Sequence, residues 1–260
     1  MSSNELIYHY TSFEKAVSYI LPLKQLRFSK FKDSRDPIEV KSRIIASEVF
    51  NEYSIGDCVK YVCFCEDGET PVRKGNHVAR MWAQYGGDHT GVCLGFNKAT
   101  LLKCLEDQFS IHNSGHLTYD LEDFFSIEPH TTKATVYTSA NEMELIQSLV
   151  TTEETSKYFF FSKQYDYRDE NEFRCIIFDQ KDESFLHCSD ALKTITLGLC
   201  TSKVQEKIIL EMVKALSLSV GISKLNFKGY GDNIALTSDQ GVPVLHLIED
   251  NLKIKEDPIF

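Results

Sequence analysis

The chain has 260 residues, 42% of them hydrophobic and 25% charged, with a formal net charge of −10. This is the balance of a globular protein, and its negative sign excludes broad, nonspecific attraction to nucleic acid. No apolar run approaches a membrane span, and Met1-Ser2-Ser3-Asn4-Glu5 lacks the basic start and apolar core of a signal peptide, so a cytoplasmic protein with no membrane partner is expected.

The first stretch, Leu6 to Tyr10, reads as a short strand running into a helix. Thr11 and Glu14 have the spacing of a capping box, and Phe13, Ala16, Val17, Ile20 and Leu21 recur at helical intervals until Pro22. Gln25 to Ser29 is a second strand and Phe31 to Arg35 a polar loop. Asp36-Pro37-Ile38-Glu39 then starts a helix expected to reach Tyr53. Lys60 to Cys65 is an apolar strand, followed by a loop to Asn76 rich in Gly, Pro and charge.

A short helix is expected over His77 to Tyr85, ended by Gly86-Gly87. Thr90 to Phe96 is a buried strand, and Asn97 caps a helix to Gln108. The polar and aromatic segment from Phe109 to Pro129 yields no assignment. Ala134 to Tyr137 is a strand, and Ser139 opens a helix to Val150. Lys157 to Gln164 holds an aromatic cluster.

Glu172 to Phe178 is a clear strand, with Ser184 to Cys188 a candidate partner for it. Ile195 to Leu199 is another strand, and Ser202 opens the most periodic helix, with Val204, Ile208, Ile209, Met212, Val213 and Leu216 on its repeat. Lys224 to Phe227 and Val244 to Ile248 read as late strands, with Asn233 to Leu236 a weaker one. Strands and helices mix without strict alternation and no linker interrupts them, so the expectation is a single α+β domain over residues 1–260.

The eight cysteines are scattered, mostly in apolar runs, and read as reduced core residues. Cys63-x-Cys65 and His112/His116 find no second ligand pair, so no metal is expected. Phosphate loops, dinucleotide glycine fingerprints and serine elbows are missing from the sequence. Lys24, Arg27, Lys30, Lys32, Arg35, Lys41 and Arg43 crowd one segment, either a solvated surface or a patch for a phosphate-bearing ligand. Two further segments could carry chemistry. Trp82 and Tyr85 could form an aromatic wall for a planar ring, or pack in the core. Glu170 and Glu172 share a side of an extended chain, either as a functional acid pair or as an acidic loop tied to Arg174.

Taken in order, His9-Tyr10-Thr11, Leu26-Arg27-Phe28-Ser29, Asp36-Pro37-x-Glu39, Cys63-Phe64-x-Glu66, Trp82-x-x-Tyr85, His89-x-Gly91-Val92-Cys93-x-Gly95-Phe96 and Glu170-x-Glu172-Phe173-Arg174 form a series. This series resembles the bacterial family catalogued as domain of unknown function 2971. Arg35 departs from it, standing where an Asn is expected before Asp36-Pro37. A looser resemblance, by motif order, is to the ADP-ribosyltransferases. It implies a compact α+β core whose split, mixed sheet, with helices around it, grips NAD. By that resemblance His9, with Tyr10 and Thr11, orients NAD, while Arg27 and Ser29 shape the nicotinamide pocket beside Tyr85. Glu172 stabilises the cationic ribose as nicotinamide leaves, and Glu170 helps deprotonate an acceptor. The implied activity is ADP-ribosyl transfer or NAD hydrolysis, with NAD as substrate, a protein or nucleic-acid acceptor, and a toxin or antiphage context. The alternatives are a non-catalytic nucleotide sensor and an interaction protein. The transferase reading requires His9 and Glu172 to face one cleft.

Overall fold

The computed structural model describes residues 5–34, 36, 55–68, 73–120, 142–228 and 235–238. Most of the helix expected from Asp36, the strand at Ala134 to Tyr137, the Ser139 cap and the strand at Val244 to Ile248 lie outside these residues.

Strand β1 (Leu6–Thr11) leads into a helix, α1, made of three consecutive segments, Phe13–Lys15, Ala16–Ile20 and Leu21–Leu23, the middle one π-helical. The cap is Ser12 rather than Thr11: its hydroxyl accepts from the Lys15 amide at 3.3 Å, while Thr11 is the buried last residue of the strand. Pro22 does not stop the helix. It sits inside the final turn, and the chain leaves through Lys24 at φ 52°.

The expected second strand divides at Phe28. β2 (Gln25–Arg27) pairs with β10 (Phe185–His187), whereas β3 (Ser29–Lys30) pairs with β4 (Val59–Glu66). The segment at Ser184 to Cys188 therefore serves β2 and not β9 (Glu172–Phe178). The remaining strands are β5 (Val92–Asn97), β6 (His112–His116), β7 (Thr118–Asp120), β8 (Ser162–Gln164), β11 (Leu192–Leu197), β12 (Gly221–Lys228) and β13 (Ala235–Ser238). The helices after α1 are α2 (Ile55–Cys58), α3 (Ala79–Gln84), α4 (Lys98–Gln108), α5 (Glu142–Thr151), α6 (Glu153–Phe160) and α7 (Lys203–Ala215). Asn97 caps α4, and Ser202 with Gln205 closes a full capping box on α7.

The fold is α+β, built on a mixed nine-stranded sheet in the order β13-β12-β11-β5-β1-β4-β9-β6, with β3 added on β4. Among the described residues only β11 and β12 run parallel within it, and α7 makes the crossover between them. β1 is central but unevenly joined. It pairs with β5 along its whole length, yet with β4 only at Ile7 and Tyr8. β4 in turn pairs with β9 from Val59 to Cys65. The sheet thus forks after Tyr8, and the His9 side chain reaches across, its Nδ1 donating to the Cys63 carbonyl at 3.0 Å.

Opposed residues in an antiparallel ladder point to the same side, so the register fixes the faces. Tyr8, Cys65 and Glu172 stand on one face, with Cys63 and Arg174 beside them. Tyr8, Tyr10, Cys65, Cys93, Met81, Trp82 and Leu225 cluster there under α3. The opposite face carries Ile7, Phe64, Leu94, Phe96, Phe173 and Ile177, packed with Leu101 and Leu105 of α4 and Ile209 and Leu210 of α7. Gly95 is required by the crowding over β1. A Cβ there would lie 2.2 Å from Thr194 Oγ1 and 3.3 Å from the Tyr8 ring.

Candidate functional site

The acid pair preceding β9 is buried inside an ion network. Arg174, fully buried, donates through Nε to Glu172 Oε1 at 2.6 Å and through a terminal nitrogen to the Phe160 carbonyl at 2.9 Å. Its guanidinium lies 4.9 Å from the Tyr61 ring centre and 5.5 Å from that of Phe31. Lys163, from β8, donates to Glu170 Oε2 at 2.7 Å and approaches Glu172 Oε2 at 3.4 Å. Two buried carboxylates are thus matched by two buried cations, the arrangement under which such charges persist away from water. On the same face, burial first and the Glu172 carboxylate second push the Cys63 thiol well above its ordinary pKa, which argues against a thiolate nucleophile.

Glu170 differs from Glu172 in what lies beside it. Its Oε1 accepts from the hydroxyl of Tyr85, an exposed residue at the end of α3, at 3.2 Å. Burial raises its pKa against the lowering pull of Lys163. The turn that carries it, Tyr165–Glu170, ends at Asn171 with φ 42°. The Asn171 side chain donates to the carbonyls of Glu66 and Asp67, both at 3.1 Å, so this left-handed residue locks the turn to the end of β4.

Around Glu170 the surface is aromatic and cationic. Tyr165 and Tyr85 are exposed and Tyr167 half-buried. Arg80 of α3 lies over Tyr167 at 5.3 Å, Lys163 over the same ring at 4.5 Å, and Arg168 over Tyr165 at 4.3 Å. Arg80 and Arg73 also donate to the Asp166 and Asp169 carbonyls, each at 2.8 Å, which gathers both arginines at the turn. Tyr119 closes the inner side, its hydroxyl accepting from the Glu172 amide at 2.8 Å.

Of the residues expected at a site, Glu170, Glu172 and Tyr85 come together. His9 does not join them. The register sends it to the other face of the sheet, against Phe64 at 5.9 Å between ring centres, and burial lowers its pKa. It touches the Cys63 carbonyl from one side of β4 while Glu172 stands by the Cys63 thiol on the other, so the expected shared cleft is not formed. Tyr10 is on the Glu172 face but is spent on packing: its ring meets Trp82 edge-on at 5.1 Å and its hydroxyl donates to the Gly75 carbonyl at 2.6 Å. Trp82 is fully buried and takes the core role, its indole N–H donating to the Asn76 carbonyl at 2.8 Å. Thr11 is buried at the end of β1.

Arg27 and Ser29 are exposed on different sheets. Arg27 pairs with Glu183 at 3.2 Å, Lys30 with Asp182 at 2.6 Å, and Lys32 with Asp57, so these members of the basic segment meet acids. The sequence reading missed Lys163, Arg80, Tyr119, Tyr165, Tyr167 and Arg168. The only available signal was the density of Tyr and Arg in Tyr165-Asp166-Tyr167-Arg168, just before the acid pair.

The family model described as "Protein of unknown function (DUF2971)" matches residues 81–175. The matched span contains Tyr85, Lys163, the turn at Tyr165–Glu170, Glu172 and Arg174, and excludes His9 and Arg27. No curated protein and no solved structure matches the chain.

Proposed function

We propose that this chain is a nucleotide-binding module whose site is the surface around Glu170. The observation that carries this reading is that the turn bearing the buried Glu170, which Tyr85 reaches with its hydroxyl, also carries Tyr167 under Arg80 and Tyr165 under Arg168. Tyrosine faces suit a base or nicotinamide ring, guanidinium groups suit phosphate oxygens, and a carboxylate accepts from ribose hydroxyls. NAD and its relatives combine all three chemistries, and binding without turnover makes the module a sensor.

The transferase site as the resemblance drew it, with His9 and Glu172 in one cleft, fails on this geometry. A second reading keeps only the reaction, NAD-dependent ADP-ribosyl transfer to a protein or nucleic acid, or NAD hydrolysis, and is favoured by the second carboxylate, Glu172, two residues along. In that reading Glu170 serves the cationic ribose, because its Oε1 meets the neutral hydroxyl of the exposed Tyr85, whereas both oxygens of Glu172 face the cations Arg174 and Lys163. His9 takes no part, since it stands across β4.

Calorimetric titration with NAD and with ADP-ribose, together with nicotinamide release in the presence of cell extract as acceptor, tests both. Binding with no release is the sensor outcome. Release that Glu170→Gln abolishes while binding persists is the transferase outcome. If neither ligand binds and no nicotinamide appears, both readings fail.

A further inference from the structure

On the face of β9 away from Glu172, His116 ends the edge strand β6 opposite Phe173. Its Nδ1 lies 2.5 Å from Glu66 Oε2, and its side chain is 66% exposed where that of Glu66 is 7%. The other oxygen of Glu66 accepts from Lys98 Nζ at 2.8 Å. Lys98, itself buried, also meets Glu5 at 3.0 Å and stands 4.4 Å above the Phe173 ring. The His116 ring meets the same phenylalanine edge-on, at 5.4 Å and 82°. Burial acts to lower the Lys98 pKa, but Glu66 and Glu5 outweigh it and hold the ammonium above its ordinary value.

We infer that His116 is a proton acceptor for a water or hydroxyl nucleophile, with Glu66 and Lys98 as its positioning residues. A carboxylate beside Nδ1 keeps the proton on that nitrogen and leaves the Nε2 lone pair pointing outward. Lys98 fixes the carboxylate from behind, and Phe173 holds the ring from below. A base oriented by a third group is the arrangement that activates a weak nucleophile. The inference does not rest on nucleotide binding at Glu170, which Lys163 ties to Glu172 on the other face of β9.

The probe is p-nitrophenyl acetate. Nε2 takes a proton from water as the water oxygen adds to the acyl carbon. The carbon–oxygen bond to p-nitrophenolate then breaks, acetic acid departs with the water oxygen and the second water proton and ionises in solvent, and the imidazolium returns its proton to solvent. The full chain is assayed with Cys200→Ser, because Cys200 is exposed and its thiol would be acylated directly. His116→Gln, at an exposed position, is expected to remove the excess rate over buffer with the melting temperature unchanged. Glu66→Gln is expected to lower kcat about tenfold with KM unchanged, and Glu66→Asp, which keeps the charge, to retain more of the rate. A rate in His116→Gln equal to that of the parent, a parent no faster than buffer, or a Glu66→Gln kcat equal to that of the parent would each overturn the inference.

Discussion

One face of β4 and β9 carries Tyr61, Cys63, Glu172 and Arg174, completed by Lys163 and Glu170. The other carries Val62, Phe64, Phe173, Cys175 and Ile177, with His9 closing the fork. Adjacent residues of the same two strands build both. The hydrocarbon face is held by area removed from water, and each member can be lost for the cost of its own cavity. The charged face is held by matching: Arg174 neutralises Glu172, and Lys163 bridges Glu172 and Glu170, so the loss of one member strands another. A charged face can also hand part of its network to a ligand, through Tyr85 and Glu170, as the Glu66 carboxylate at the end of β4 can on the other face through His116; the hydrocarbon side chains between them cannot.

Arg174→Met breaks the matched side and should cost about 4 kcal/mol in denaturant unfolding, because Glu172 keeps its burial and loses its main cation. Adding Glu172→Gln should recover part of that loss. If Arg174→Met alone costs nothing, the charges do not hold this face. Phe64→Ala, on the hydrocarbon side of the same strand, should cost about 3 kcal/mol through its cavity, and no second charge substitution should rescue it.

The two faces should also differ in the sign of their response to acid. The lowered pKa of His9 means that the unfolded chain binds its proton first as pH falls through the ordinary histidine range, so stability is lost on acidification from there down. His9→Gln should flatten that loss, at about 1 kcal/mol for the hydrogen bond to Cys63. The raised pKa of Glu170 works oppositely. The folded state binds its proton first, so this group adds stability as pH falls through the region just above the ordinary carboxylate range and withdraws it as pH rises. Glu170→Gln should remove that slope while changing stability at neutral pH by about 1 kcal/mol. Melting temperatures of both variants from neutral to mildly acidic pH decide the matter, and slopes of the same sign would contradict the assignment of the two environments.

The smallest effect is expected at Tyr85→Phe. Stability should stay within about 0.5 kcal/mol of wild type, because the ring is exposed. Affinity for NAD, if the Glu170 surface is the site, should fall several-fold with the loss of the hydroxyl that faces the carboxylate.

Local chemistry in the sequence determined the elements whose signals are complete within a few residues. The Ser202 start and apolar repeat of α7, the Asn97 cap of α4 and the apolar run of β9 needed no distant partner, and each stands where the sequence places it. The Glu170/Glu172 pair and its neighbour Tyr85 were also legible, as acids before a buried strand and an aromatic at a helix end. Pro22 misled because a π-helical segment before it lets the ring sit at the start of a new turn. Phe28 misled because one residue passes the chain from one sheet to another, and only the partners β10 and β4 reveal the division. The face of His9 relative to Glu172 could not be read from motif order. Side-chain alternation is local, but its phase between two strands is set by which residues lie opposite each other through β4, and that register is a long-range property. The same holds for Lys163, whose meaning as the cation between two acids exists only once β8, paired with β7, has brought its side chain against Glu170 and Glu172. Sequence determined the pieces because hydrogen bonds and caps close within a turn. Tertiary structure alone decided which side chains share a volume, because burial and charge matching act between residues far apart in the chain.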